Sequence, residues 1–171
     1  MATGPTYRVK TRRRRTGRTD YKRRLALLKS QKPRLVVRLS NNNTNVQFIE
    51  YDATGDRVQG SAQALDLKAL GWKDVHTGNL PAAYLTGLLA GRRAKKAGVD
   101  EAVLDLGHQR PLAGSRVFAA LAGVVEAGVT VPHSPDVLPG EERLRGEHCK
   151  EAVQTAFGEV KKRIDTGGDA E

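Results

Sequence analysis

The positive charge of this chain is confined to one end, and that limits what can fold. Residues 1–38 hold 14 Lys and Arg and one acid, Asp20, whereas the remaining 133 residues hold 15 basic and 18 acidic side chains. The net charge of +10 is therefore a strongly basic arm joined to a slightly acidic body. A segment whose like charges repel and whose apolar residues are few cannot bury enough surface to order itself. The core must come from the rest of the 171 residues, which is room for one domain.

Several classes drop out. No apolar run approaches the length of a membrane span. The opening MATGPTYRVKTRRRR has no apolar stretch after its charges, unlike a secretory signal, and it is less Ser-rich than a mitochondrial transit peptide. A single cysteine, Cys149, excludes an internal disulfide and a multi-cysteine zinc site. These features lead us to expect a soluble, cytoplasmic protein whose arm takes a polyanion.

Organisation follows from punctuation and period. Residues 1–19 form the arm, expected to be without fixed structure until it meets a partner. Thr19 or Asp20 can cap a short helix with Tyr21, Leu25 and Leu28 at helical spacing, ended by Pro33. Residues 34–40 (RLVVRLS), 45–52 (NVQFIEYD) and 57–64 predict three strands joined by short turns, hence antiparallel. The rhythm then becomes helix, strand, helix, strand. Pro81 opens a helix and Gly98 closes it; Ala83, Gly87, Ala90, Gly91 and Ala94 leave its faces small enough for close packing. Residues 102–106 (AVLDL) predict a buried strand. Ser115 precedes a second helix ended by Gly128, and residues 129–131 (VTV) predict a fifth strand. The fold class expected is α/β with a mixed five-stranded sheet. The body is expected to span residues 20–131, and a linker with a helical extension residues 132–171.

Arg8, Lys10, Arg12, Arg13, Arg14, Arg15, Arg18, Lys22, Arg23 and Arg24 can neutralise phosphates, and Tyr7 and Tyr21 can stack on unpaired bases. A localisation signal or a solvated tail is the plainer alternative. Charge alone does not separate RNA from DNA. The loop of residues 41–45, NNNTN, lies beside Arg38 and can contact sugars or base edges, or serve only as a turn. Thr77-Gly78-Asn79 precedes a helix, where free N–H groups favour a phosphate and a plain cap is the more natural reading. Gly114-Ser115-Arg116 lies after a strand and before a second helix, where α/β sheets take ligands and a simple connection is as natural. His108-Gln109-Arg110 is a similar polar loop.

Enzymatic readings are poorer. Residues 55–61 (GDRVQGS) have phosphate-loop glycine spacing, but Ser61 stands where the lysine is required. His76, His108, His133 and the adjacent His148-Cys149 lack metal-ligand spacing. Asp52 and Asp105 lie at strand ends where a metal-dependent nuclease keeps carboxylates, yet RLVVRLS offers no acid in the first strand. No cofactor and no small-molecule substrate are expected. A metal-dependent nuclease and a basic-arm DNA-binding regulator stay open as alternatives.

The chain resembles the archaeal-type L-eighteen family of large-subunit ribosomal proteins. The resemblance lies in GPTYRVKTRRRRTGRTDYKRRLALLKS, KPRLVVRLSNNN, TGNLPAAYLTGLLAGRRAKKAGV, AVLDLG, PLAGSRVFAALAG and VVEAGVTVPH, in that order, over roughly residues 4–148. It implies a ribonuclease-H-like topology without the catalytic acids. It also implies a structural role, binding 5S ribosomal RNA beside a protein of the L-five family in the central protuberance. The implied RNA contacts are the arm and helix from Arg8 to Arg24, with Arg34, Arg38, Asn41, Asn42, Asn43 and Asn45, and then Thr77, Asn79, Ser115 and Arg116. Large-subunit ribosomal RNA and neighbouring ribosomal proteins are the other implied partners.

Overall fold

Alternation decides the sheet. In the computed structural model, which describes residues 4–73 and 75–167, the first three expected strands form as β1 (Arg34–Leu39), β2 (Thr44–Glu50) and the more polar β3 (Arg57–Gln63). They pair antiparallel as a meander, with Val37 opposite Val46 and Leu35 opposite Phe48. Ser40 closes the first turn: its N–H donates to the Asn43 carbonyl at 2.8 Å, and its Oγ accepts from the Asn43 N–H at 3.0 Å. β4 (Val103–Asp105) lies parallel to β1, giving the order β3-β2-β1-β4. Leu35, Val37, Val46, Phe48 and Ala62 face one way and are buried.

The crossover from β3 to β4 carries the main helix. After a 3-10 turn at Asp66–Lys68 comes α3 (Leu80–Lys96); α4 (Arg116–Glu126) follows β4. Asn79 caps α3 by accepting from the Ala82 N–H at 2.9 Å. Trp72 and the inner faces of α3 and α4 complete the core on the Leu35 side of the sheet. The crossing of α3 over α4 is backbone to backbone. A Cβ on Gly87 would run into the Ala120 carbonyl, and one on Gly123 into the Tyr84 carbonyl.

The expected fifth strand does not form, so the five-stranded sheet of ribonuclease-H-like topology is replaced by a four-stranded mixed one. Residues 129–131 make only an isolated parallel bridge, Glu101 to Thr130. The reason is chemical. The Thr130 N–H donates to the Asp100 carbonyl at 2.9 Å, and the Thr130 carbonyl accepts from the Ala102 N–H at 3.0 Å. The next rung requires an N–H from residue 132, which is proline.

Two short helices precede the sheet, α1 (Arg12–Arg15) and α2 (Tyr21–Leu28). Asp20 caps α2, accepting from the Lys22 and Arg23 N–H groups at 3.0 and 3.2 Å. Neither helix buries a residue: Tyr21 and Leu25, read at helical spacing, point to solvent. The arm thus contains one helical turn rather than none; its first three residues lie outside the described set, as do the last four of the chain. Beyond α5 (Glu141–Arg145), α6 (Glu151–Asp165) lays Val153, Ala156, Phe157, Val160 and Ile164 into the same core as the sheet and α3. Tyr84, Glu126 and Lys161 tie α3, α4 and α6 together; the Tyr84 hydroxyl donates to Glu126, and Lys161 Nζ sits 2.7 Å from Glu126 Oε1. Burial, then Glu126, push the Tyr84 hydroxyl up to about 12, so it stays protonated. No helix among the described residues is long and apolar enough to cross a membrane.

Candidate nucleic-acid interface

Residues 4–18 are exposed throughout. Among the described residues Arg8, Lys10, Arg12, Arg14, Arg15 and Arg18 have no carboxylate partner, and Arg13 bonds only the Thr19 hydroxyl, at 2.8 Å. Seven cations on one arm are therefore unneutralised. On α2, Tyr21 and Lys22 are exposed. Arg23 reaches Asp20 at 3.5 Å and donates to the Gly107 carbonyl at 3.3 Å. Arg24 pairs with Asp56 at 2.9 Å.

The three candidate loops, far apart in sequence, meet at one end of the sheet. There β1 ends and α3 and α4 begin. Arg116 fastens the loops: its Nη1 donates to the Gly78 carbonyl at 2.8 Å, the Ser40 carbonyl at 3.2 Å and the Asn41 carbonyl at 3.4 Å. Thr77, buried, donates its hydroxyl to the Asn42 carbonyl. The Gly78 N–H donates to His76 Nδ1 at 3.0 Å, leaving Nε2–H to donate to Asn42 Oδ1 at 3.1 Å. Gly78 must be glycine, since a Cβ there would run into the Asn41 carbonyl. Asn41 and Asn42 stay exposed, Asn43, Asn45 and Asn79 are half-buried, and Ser115 holds the cap position of α4 without a side-chain hydrogen bond. The result is a rigid, amide-rich surface with two helix N-termini behind it, which favours anions.

Arg34 and Arg38 belong to a different arrangement. They project from the face of β1 opposite Leu35 and Val37. Arg34 is 3 % exposed, with Nη2 at 2.7 Å from Asp56 and Nη1 at 3.2 Å from Asp105. Arg38 bonds the same Asp105 carboxylate at 3.0 Å, the Asp105 carbonyl at 2.7 Å and the Val37 carbonyl at 2.9 Å. Its side chain stays 44 % exposed, so it is held and still accessible. Both oxygens of Asp105 are thus engaged by guanidinium groups, and Asp52 pairs with Arg57 at 2.9 Å. Among the described residues no group of three or more His, Cys, Asp or Glu is placed to hold a metal ion.

Burial works to raise the Asp105 carboxyl, but the charges of Arg38 and Arg34 and the Gly107 N–H outweigh it, and its pKa falls below the ordinary 3.8. Asp56 behaves the same way, burial being outweighed by Arg24 and Arg34. A lowered carboxylate stabilises the fold above its unfolded pKa, and that contribution disappears as pH falls through the folded value. Asp105→Ala, which leaves buried Arg34 to Asp56 and releases Arg38, is expected to cost about 2 kcal/mol at pH 7. Urea titrations should show the gap from the native chain closing below about pH 4. An unchanged midpoint at pH 7 would remove the network from the account.

Sequence reasoning did not find Asp56, His76 or Gly107. Asp56 lies in a hairpin connection that also opens the failed phosphate-loop match of residues 55–61, and neither reading points to an arginine partner. His76 lies among polar loop residues with no ligand spacing. Only the pairing of distant segments reveals their use.

A family described as ribosomal large subunit proteins 60S L5, and 50S L18, matches residues 5–102. The large ribosomal subunit protein uL18 of Natronomonas pharaonis is 56 % identical over 154 residues, covering 90 % of this chain and 83 % of that protein. Its counterpart from Korarchaeum cryptofilum is 57 % identical over 149 residues, 86 % and 75 % of the two chains. That of Haloarcula marismortui is 54 % identical over 151 residues, 88 % and 80 %.

Proposed function

The chain belongs to the family of ribosomal large subunit proteins 60S L5 and 50S L18, and from that premise we propose that it binds 5S ribosomal RNA and helps anchor it in the central protuberance. It is a constituent of the large ribosomal subunit in the cytoplasm, and its role in that family is structural. Ribosomal RNA and ribosomal proteins are its partners; 5S RNA, and a neighbour of the L-five family, are the specific ones proposed.

The observation that carries this reading is the division of labour between arm and body. Seven arm cations without carboxylate partners supply attraction that any polyanion would feel. The loops fastened by Arg116 present the exposed amides of Asn41 and Asn42 in a fixed geometry, suited to RNA shape and 2′-hydroxyls. Asn41, Asn42, Asn43, Asn45, Asn79, Ser115 and Arg116 form that surface, with Thr77 holding it from beneath. Tyr21, Lys22, Arg23 and Arg24 extend the arm across the body. Arg34, whose guanidinium is spent on Asp56 and Asp105, acts by holding Asp105 under Arg38 rather than by touching RNA. The experiment that tests the reading is competition between 5S ribosomal RNA and transfer RNA for the intact chain.

A further inference from the structure

Helix α2 does not pack on the sheet; it bridges it. Under the helix, on the face of the sheet opposite α3 and α4, lies a cavity of about 550 Å³. Clefts that take small organic groups are roughly 300–1,000 Å³. Its floor sets the apolar side chains of Val36, Ile49 and Val103 around the Arg34–Asp56–Asp105 ion network. Its rim is guanidinium: Arg13, Arg18, Arg23, Arg24 and Arg38 surround it. Apolar side chains under a cationic rim match the two halves of a nucleotide, a flat base with a hydrocarbon-like face and an anionic phosphate.

The rim is only partly neutralised: Arg23 pairs with Asp20, Arg24 with Asp56 and Arg38 with Asp105. Arg18 has no carboxylate partner among the described residues, and Arg13 bonds only a hydroxyl. Arg38 is different in kind. Three carbonyl and carboxylate oxygens, those of Val37, Asp105 and the Asp105 side chain, fix its guanidinium plane at the cavity wall. A planar cation already held in place is a stacking platform that loses little freedom when a base lies on it. A peptide would satisfy the floor but would leave the rim charges opposed only if it were acidic; RNA supplies both features in each residue.

We propose that the cleft between α2 and the open face of the sheet receives one unstacked nucleotide of the bound RNA, its base on the Val36–Ile49–Val103 floor and against Arg38, its phosphate on Arg13 and Arg18. The inference rests on the 5S RNA reading above and adds a base-binding pocket to it. The pocket turns the space beneath α2 into a recognition element that a duplex or a fully stacked strand cannot enter.

The test uses the full chain with 5S ribosomal RNA and transfer RNA as probes. Ile49→Trp and Val103→Trp fill the cavity from two half-buried positions beside empty space, and Arg38→Lys keeps the charge while removing the plane. Each variant with the native melting temperature should lose about tenfold in 5S RNA affinity, the scale of one stacked base. Transfer RNA affinity and the salt slope should not move, because the arm is intact. A natively folded variant of either kind that keeps the full 5S affinity overturns the pocket. If the unaltered chain does not distinguish 5S RNA from transfer RNA, the failure belongs to the functional reading, and the two outcomes are separable.

Discussion

Deleting residues 1–18 is expected to lower RNA affinity about a thousandfold at 0.1 M salt and to flatten its salt dependence by about five to six in log–log slope. The segment carries Arg8, Lys10, Arg12, Arg13, Arg14, Arg15 and Arg18. Each cation that neutralises a phosphate releases a counterion, and each contributes about 0.7 to 0.9 to the slope. The body should be indifferent. No described residue before Thr19 is buried, and the link to the rest is the exposed bond from Arg13 to Thr19. Melting temperature should therefore move by no more than about 2 °C, the response to a fraction of a kcal/mol. Gel-shift titrations from low to moderate salt read the slope directly. An unchanged slope with unchanged affinity would mean that the arm's charge is not used on RNA.

The largest expected effect on stability lies at the α3–α4 crossing. Gly87→Ala and Gly123→Ala each force a Cβ against a backbone carbonyl of the facing helix, and neither carbonyl can move without moving its helix. Overpacking of a side chain against side chains costs about 1–3 kcal/mol. Against backbone the upper end applies, and the roughly 1 kcal/mol that alanine gains in helix propensity offsets only part of it. Each variant should lose about 2–3 kcal/mol, and Gly87→Val should not fold cooperatively. The internal control is Gly158 in α6, where a Cβ meets nothing within 4 Å. Gly158→Ala should stabilise by up to about 1 kcal/mol. Denaturant midpoints that fall at residues 87 and 123 and rise at 158 support the crossing as the keystone of the body. A fall of equal size at 158, or no fall at 87 and 123, contradicts it.

Much of the body could be read from period and punctuation. The small residues of α3 announced close packing because nothing else explains Gly87, Ala90, Gly91 and Ala94 in one helix, and the α4 partner glycine completes it. The turn at Asn43, the cap at Asn79 and the meander were legible because turn and cap chemistry is local. Residues 129–131 had the composition of a strand and failed as one, because a ladder needs the N–H that Pro132 lacks. Tyr21, Leu25 and Leu28 had helical spacing but found no core to face. The alternation of RLVVRL places Arg34 and Arg38 on one side, but not the carboxylates that occupy them. Asp105 comes from a strand 71 residues beyond Arg34. The convergence of the three polar loops was likewise invisible, since each read alone was as good a turn or cap as a contact. Arg116, whose Nη1 joins Ser40, Asn41 and Gly78, converts three ambiguous loops into one surface.

The opening asymmetry of charge acquires a physical meaning from these contacts. The acids of the body, Asp56 and Asp105, anchor Arg24, Arg34 and Arg38 near the arm, while the arm itself keeps its charge unspent. We propose on this basis that attraction and recognition are separable parts of one chain, and the central claim concerns the second. Its most direct test is equilibrium competition at near-physiological salt, with labelled 5S ribosomal RNA on the intact chain and unlabelled transfer RNA as competitor. A body that reads RNA shape predicts at least about tenfold preference for 5S RNA, retained as salt rises and arm-driven affinity falls. Equal displacement by the two RNAs at every salt concentration would reduce the protein to a general polyanion binder and contradict the account.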